Sequence, residues 1–258
     1  MHILKEIEGM GVRNVLVEKK DNIATIIISR PQQSNTLSSQ LLQELGSIVE
    51  DIRQDRETLA VIVTGEGEVF SSGIDYDELN EMSPEEARRF SHIGSRVFRS
   101  LELMEKPVIA AIDGIAYGGG FQLSLACDIR IASDRARFSM PEVGLGIIPG
   151  LGGTQRLRSI VGIGRAKELI FSGRQLSAPQ AYEIGLISML VDPKDLMREA
   201  RSIASSIVRS SSFAMKLAKA AINLGVEVDM DTALGLEEEL FAECFSPERR
   251  KCTAEQEG

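Results

Sequence analysis

Gly118-Gly119-Gly120-Phe121-Gln122 joins a strand-like run, Pro107 to Ile112, to a helix-like run that begins at about Gly119. Three consecutive glycines have no side chains to pack, and they lose more conformational entropy on folding than other residues. They therefore indicate either a tight packing contact or a ligand that approaches the main chain. The free N–H groups at a helix N-terminus suit a developing negative charge. Glu142 follows Gln122 by twenty residues, in an apolar stretch that favours burial of its carboxyl group.

The composition is that of an ordinary globular protein, with 258 residues of which 43% are hydrophobic and 26% are charged. The formal charge of −9 disfavours nucleic acid as a partner, because phosphate binding needs a positively charged face. Residues 1–8 are too acidic for a signal peptide, and no apolar run reaches the roughly 18 residues of a membrane span. We therefore expect a cytoplasmic protein that has no membrane partner.

Strand and helix signals alternate along the first half of the chain. Ser83-Pro84-Glu85-Glu86 has the pattern of a capping box and starts a long helix. Apolar stripes at helical spacing dominate the last third, and they indicate contact either with another subunit or with the sheet. The predicted strands are Val15–Glu18, Ile23–Ser29, Leu59–Thr64, Val108–Ile112 and Ile129–Ala132, and the predicted helices include Leu37–Ile52, Gly119–Cys127, Met197–Val208, Phe213–Leu224 and Thr232–Phe245.

Several common functional sites are absent from the sequence. It contains no GxSxG, GxxxxGK[ST] or HExxH motif, and its only histidines are His2 and His92. Cys127, Cys244 and Cys252 form no CxxC pair, which argues against a disulfide framework or a zinc site, so no metal is expected. The segment from Gly144 to Pro149 only approaches the GxGxxG pattern, because proline replaces its last glycine.

A basic cluster follows this segment and consists of Arg156, Arg158, Arg165 and Lys167. Two interpretations stay open for it. The cations could attract an anionic ligand, or they could lie on solvated faces of helices.

A second glycine-bearing turn, Phe70-Ser71-Ser72-Gly73-Ile74-Asp75, follows the strand predicted from Leu59 to Thr64. One main-chain N–H group from each glycine turn could converge on a single oxygen atom. That is the geometry of an oxyanion hole, in which each donor contributes about 3 kcal/mol of transition-state stabilisation.

Taken together, these segments resemble the enoyl-CoA hydratase/isomerase, or crotonase, superfamily over nearly the whole chain. The matching motifs are Ser29-Arg30-Pro31 with Asn35, the Phe70–Asp75 turn, Pro107 to Gly114, the triple glycine with Cys127-Asp128-Ile129, and Pro141 to Leu157. The resemblance implies an α/β fold, a crotonase-like spiral of ββα repeats over residues 1–190, with a C-terminal α-helical trimerisation region over residues 191–258. It also implies a homotrimer or a homohexamer.

The resemblance further implies an acyl-CoA thioester substrate. The amides of Ile74 and Gly119 would form its oxyanion hole, with Glu142 and Gln122 as catalytic residues. No separate cofactor is implied, because coenzyme A is part of the substrate. The residues implied to bind the substrate or its coenzyme A are Arg30, Asn35, Ser71, Ser72, Gly73, Asp75, Tyr76, Gly118 and Gly120.

Two positions in that set keep a second interpretation. Asp75 could be a helix cap, and Tyr76 could be a core side chain instead of a wall of the acyl pocket. The family's aromatic and basic C-terminal tail has no counterpart after residue 258, so we expect the nucleotide contacts that it makes to differ here.

Gln122 departs from the family's hydratases, which carry a second glutamate at that position. An amide cannot accept a proton at neutral pH, so Gln122 can orient a water molecule but cannot act as its base. With Glu142 as the single acid/base, double-bond isomerisation and hydration both stay open, including a hydratase specialised for a conjugated or cyclic dienoyl-CoA. A non-catalytic acyl-CoA-binding protein is an alternative from another class.

Overall fold

Six strands form the larger of two sheets in the computed structural model, which describes residues 14–246. In chain order they are β1 (Val15–Lys20), β2 (Ile23–Ile28), β3 (Ala60–Gly65), β4 (Val108–Ile112), β6 (Ile129–Ser133) and β9 (Met189–Val191), and the smaller sheet contains β5 (Ile115–Tyr117), β7 (Arg137–Ser139) and β8 (Leu176–Ser177). In the larger sheet the spatial order is β1-β2-β3-β4-β6-β9. β1 and β2 pair antiparallel, and the other neighbours pair parallel.

The helices follow the strands along the chain. They are α1 (Ser39–Gln54), α2 (Tyr76–Glu81), α3 (Pro84–Glu102), α4 (Gly118–Leu125), α5 (Gly153–Val161), α6 (Ile163–Ser172), α7 (Ala178–Glu183), α8 (Leu196–Val208), α9 (Ser212–Gly225) and α10 (Met230–Glu243), with short 3-10 turns at Pro31–Gln33, Glu142–Leu145 and Pro193–Asp195. Within residues 14–246, no helix is long and apolar enough to cross a membrane.

The strands of the larger sheet are continuous apolar runs because both faces of the sheet are covered. Alternate residues of a strand point to opposite faces. Ile26 and Val63 lie in the core that includes α1 and α3, whereas Ile62 and Ile109 lie in a second core with Leu196 of α8.

The smaller sheet brings the two glycine turns side by side. Parallel bridges connect Ser71 with Ala116 and Leu37 with Ile74, so the turn that follows β3 extends this sheet beside β5. After β3, β4 and β6 in turn, the chain adds a segment to the smaller sheet and then forms a helix. The N-terminus of α4 therefore lies next to the Ser71–Asp75 turn.

The C-terminal helices make two different kinds of contact. α8 covers one face of the larger sheet with Leu196, as the sheet-covering interpretation predicted. α9 is held to the core by Lys219, whose Nζ lies 2.7 Å from Asp128 Oδ2. α10 packs on α9 but buries none of its own residues, and Phe241 is 66% exposed.

The predicted α/β fold class and the helical C-terminal region are confirmed, and the predicted elements have ends within two residues of those observed. The capping box at Ser83 is also confirmed, because Ser83 Oγ accepts from the Glu86 amide while Glu86 accepts from the Ser83 amide. β5, β7, β8 and β9 were not predicted, because two or three residues are too few for a periodic pattern. The domain boundary at residue 190 and the trimerisation role stay predictions.

Some sequence interpretations fall on residues that the structure does not describe. These are the acidic N-terminus at residues 1–8, Cys252 and the end of the chain at residues 255–258.

Candidate active site

The two glycine turns meet through their main chains. Gly73 has φ +109°, and a Cβ atom there would lie 2.9 Å from the Tyr117 carbonyl and 3.3 Å from the Gly119 amide. A Cβ atom at Gly120 would lie 2.5 Å from the Ser71 carbonyl. These positions accept only glycine, because the contacts leave no room for a methyl group and Gly73 has a left-handed backbone.

The amides of Ile74 and Gly119 are left free by this arrangement. The Leu37 amide donates to the Gly73 carbonyl at 2.7 Å, and the Asp75 amide donates to the Leu37 carbonyl at 3.2 Å, so the intervening Ile74 amide points away from Leu37. Gly119 is the second residue of α4, where N–H groups have no partner within the helix. Within residues 14–246 neither amide has a hydrogen-bond acceptor.

An unpaired main-chain amide in a buried position lowers the stability of the folded protein, so these two amides need an explanation. Gly119 belongs to a helix whose residues are all buried, and Ile74 is 9% exposed. An oxygen atom of a bound ligand would satisfy both donors. The geometry therefore suits recognition of a carbonyl group or an oxyanion.

Glu142 lies at the start of a 3-10 turn beside the N-terminus of α4. A Cβ atom at Gly118 would be 3.3 Å from Glu142 Oε1, which places the carboxyl group next to the residue before Gly119. Glu142 is 4% exposed, and its Oε2 has no hydrogen-bond partner among the described residues. Burial raises the pKa of the Glu142 carboxyl, and hydrogen bonds from its own amide and from Gln122 partly offset that rise.

Gln122 is fully buried and contacts Glu142 directly. Its Nε2 donates to Glu142 Oε1 at 2.8 Å, and its Oε1 accepts from the amides of Leu151 at 2.8 Å and Gly153 at 3.0 Å. Two N–H donors can face only the amide oxygen, so they determine which end of the Gln122 amide points at Glu142. Because both lone pairs of Oε1 are used, Gln122 can meet a water molecule only as a donor.

The other predicted binding residues surround the Ser71–Asp75 turn. Arg30 Nη1 donates to the Thr36 carbonyl at 2.9 Å, and its Nη2 lies 3.5 Å from Asp75 Oδ2. Asp75 occupies the N-cap position of α2, but its side chain makes no capping hydrogen bond. Tyr76 is 44% exposed, and burial together with the negative charge of Glu142 raises the pKa of its hydroxyl group.

Asn35 and Ser71 have no exposed surface. The Asn35 amide bridges the Arg30 amide and the carbonyls of Glu66 and Val69, and Ser71 Oγ accepts from the Gly73 amide. A part in substrate binding would therefore be indirect for both residues. They shape the segments that carry Ser72 and Gly73.

Leu151, Gly153 and Arg156 were not predicted as site residues. They lie in the glycine-rich segment that precedes and opens α5, within the Pro141 to Leu157 family motif, and Arg156 was noted only as a member of the basic cluster. A Cβ atom at Gly153 would lie 2.6 Å from Gln122 Cγ, which explains why this position needs glycine. Arg156 points inward to Glu102, so the anionic-ligand interpretation of the basic cluster is not supported for this residue.

Comparisons with known proteins show which family the chain is similar to. The family model described as Enoyl-CoA hydratase/isomerase matches residues 18–257. The Short-chain-enoyl-CoA hydratase of Clostridium acetobutylicum is 50% identical over 94% of this chain and 93% of its own length, and the Crotonyl-CoA hydratase of Syntrophomonas wolfei is 41% identical over 94% of each. The crystal structure of an enoyl-CoA hydratase from Bacillus anthracis is 40% identical, covers 95% of this chain and 96% of that chain, and has a TM-score of 0.88.

The Glu142→Gln substitution should raise thermal stability at pH 8, by the order of 1 kcal/mol, because it removes a buried carboxylate with an unpaired oxygen. A raised pKa in the folded state makes ionisation of Glu142 destabilising above that pKa. The gain should disappear below about pH 4, where the carboxyl is protonated in both the folded and unfolded states. Calorimetric Tm values over this pH range, with Glu183→Gln as an exposed control, would measure it, and a gain independent of pH would contradict it.

Proposed function

This chain belongs to the enoyl-CoA hydratase/isomerase family, and we propose that it adds water to the double bond of short-chain enoyl-CoA thioesters. Its relatives are enzymes named as hydratases of short-chain enoyl-CoA and of crotonyl-CoA, which supports both the reaction and the substrate class. The observation that carries the proposal is the buried Glu142 carboxyl beside Gly118, adjacent to the unpaired Gly119 amide.

The amides of Ile74 and Gly119 would bind the thioester oxygen of the substrate. Negative charge develops on that oxygen when a nucleophile adds to the double bond or a proton leaves the α-carbon. Main-chain donors that are already in place stabilise this charge by about 3 kcal/mol each. The Ser71–Asp75 turn and α4 hold the two donors on separate segments, so the substrate carbonyl would lie between them.

Coenzyme A is part of the substrate, and the proposed reaction uses no further cofactor. The surface around the Ser71–Asp75 turn would hold the coenzyme A portion, with half-exposed Tyr76 facing the acyl group and Glu142. The proposed binding residues are Arg30, Ser72, Gly73, Asp75, Tyr76, Gly118 and Gly120, with Asn35 and Ser71 supporting them from the interior.

Glu142 would carry out both proton transfers of hydration. Its Oε2, which lacks a partner among residues 14–246, accepts a proton from water as the water oxygen bonds to C3. The C2–C3 π electrons move toward the thioester and form an enolate that the two amides hold. The proton then passes from Glu142 to C2, so one water molecule is added in total. The raised pKa of Glu142 suits both directions of transfer.

Double-bond isomerisation is the second candidate, and the Gln122 amide favours it. Transfer of a proton from C2 to C4 needs one carboxylate beside an enolate-stabilising site, and Gln122 cannot supply another base. The buried contact between Gln122 Nε2 and Glu142 Oε1 leaves one oxygen, Oε2, for this chemistry. The same arrangement would serve hydration of a conjugated or cyclic dienoyl-CoA.

The chain should assemble as a homotrimer or a homohexamer in the cytoplasm. α10 buries no residue of its own and exposes large apolar side chains such as Met230 and Phe241, which a second copy would cover. The free thiols of Cys127 and Cys244 suit a reducing compartment.

Light scattering after size-exclusion chromatography should give three or six times the 28.2 kDa chain mass, and a monomer would contradict the assembly.

Incubation with 2-enoyl, 3-enoyl and dienoyl thioesters of coenzyme A should separate the candidate reactions. A hydratase adds the mass of one water molecule to a 2-enoyl substrate, whereas an isomerase converts the 3-enoyl substrate without a change in mass.

Glu142→Gln should lower turnover at least about a hundredfold and leave binding of the thioester nearly unchanged. Thioester binding by the wild type without turnover would show a non-catalytic acyl-CoA-binding protein instead.

Gln122→Glu should raise hydration of crotonyl-CoA by about tenfold or more, because it adds a second ionisable group. The amides of Leu151 and Gly153 already aim at the oxygen of residue 122 and would hold a carboxylate. Two carboxyl groups this close would share one proton, which gives an acid and a base together. Gln122→Met is the control of similar size, and an unchanged or lower rate in Gln122→Glu would contradict this mechanism.

A further inference from the structure

Arg156 is partly buried, and it contacts the segment that holds the Gln122 amide. Its Nε and Nη2 donate to Glu102 Oε2 at 3.2 and 2.9 Å, and its Nη1 donates to the Leu151 carbonyl at 3.1 Å. The side chain is 11% exposed. Partial burial of a cation with three directed hydrogen bonds costs solvation free energy, so the position of Arg156 needs a reason beyond surface solubility.

Backbone geometry makes room for this guanidinium group. Gly152 has φ +93°, and a Cβ atom there would lie 2.1 Å from Arg156 Nη1. The counterion is also well placed: burial alone would raise the pKa of Glu102, but its contacts with Arg156 and then Arg99 hold the pKa below the usual value. Glu102 is therefore a charged anchor at the C-terminal end of α3.

Leu151 connects Arg156 to the candidate active site. Its carbonyl accepts from Arg156, and its amide donates to Gln122 Oε1 at 2.8 Å. Gln122 Nε2 then donates to Glu142 Oε1 at 2.8 Å. A continuous set of hydrogen bonds thus runs from the Glu102 carboxylate, through Arg156, Leu151 and Gln122, to the Glu142 carboxyl.

We propose that Arg156 is a positioning residue for Glu142, which it orients through the Leu151 main chain and the Gln122 amide. This inference rests on the proposed function, in which Glu142 Oε2 transfers the protons. The guanidinium group anchors Leu151, Leu151 with Gly153 determines the orientation of the Gln122 amide, and Gln122 holds Glu142 Oε1 so that Oε2 faces the substrate.

Lysine cannot replace arginine in this role. An ammonium group is a compact charge, whereas the planar guanidinium spans two acceptors that lie on different segments. Arg156→Lys therefore keeps the charge and removes the bridge between Glu102 and the Leu151 carbonyl. This substitution separates positioning from a simple electrostatic effect on Glu142.

The test compares wild type, Arg156→Lys and Arg158→Lys, whose side chain is exposed on the same helix, in hydration of crotonyl-CoA over a range of pH. We expect Arg156→Lys to lower kcat about ten- to hundredfold with KM within about twofold, since small misplacements of a reacting group have effects of this size. The acidic limb of its kcat profile should move to higher pH, because Glu142 loses the Gln122 hydrogen bond that lowers its pKa. Arg158→Lys should match wild type.

Circular dichroism at the assay temperature would establish that each variant is folded. If Arg156→Lys does not fold, Glu102→Asp is the alternative variant, because it shortens by one methylene the side chain that binds Arg156. It should give the same decrease in kcat and the same shift of the acidic limb to higher pH. A folded Arg156→Lys enzyme with lower Tm but unchanged kcat and pH profile would overturn the positioning role while the proposed function stands. A wild type without turnover of any enoyl-CoA thioester would overturn both.

Discussion

The close approach of two main-chain segments is the constraint on which the candidate site depends. The Ser71 carbonyl oxygen lies 2.5 Å from the position that a Cβ atom of residue 120 would take, and the Tyr117 carbonyl oxygen lies 2.9 Å from that of residue 73, so both segments must lack side chains at the contact. The amides of Ile74 and Gly119 thereby belong to segments in close contact, and neither has a hydrogen-bond acceptor within residues 14–246. Burial of apolar side chains on both faces of the larger sheet stabilises the fold and offsets the cost of two unpaired donors.

The Glu142 carboxyl group beside these amides is also an energetically unfavourable feature of the folded protein. Glu142 is buried and, within residues 14–246, has one oxygen without a partner, an arrangement that lowers the stability of the folded protein and raises the pKa of the group. Active sites commonly retain such unfavourable groups, because a preorganised proton acceptor needs them. Gln122 limits the freedom of this group, since its amide is itself held by the main-chain amides of Leu151 and Gly153.

Sequence patterns predicted more of the fold than of the site's internal contacts. The Val108–Ile112 strand, the Ser83 capping box and the apolar stripe of α8 depend on local periodicity, so their positions were predicted within two residues. The three-residue strands β5, β7 and β9 were not predicted, because they form only when distant segments pair with them. The contact between Arg156 and Glu102 was not predicted either, because 54 residues separate the two in the chain.

The sequence by itself determined the α/β fold class, the two glycine turns and the presence of one acidic group, Glu142, with an amide at position 122 in place of another acid. Those features follow from residue type, local spacing and the resemblance to one family. Only the tertiary structure decided which end of the Gln122 amide faces Glu142, which Glu142 oxygen is left without a partner among the described residues, and which arginine of the basic cluster pairs with Glu102. Hydrogen-bond direction and burial arise from contacts between segments that are far apart in the chain, and no local pattern records them.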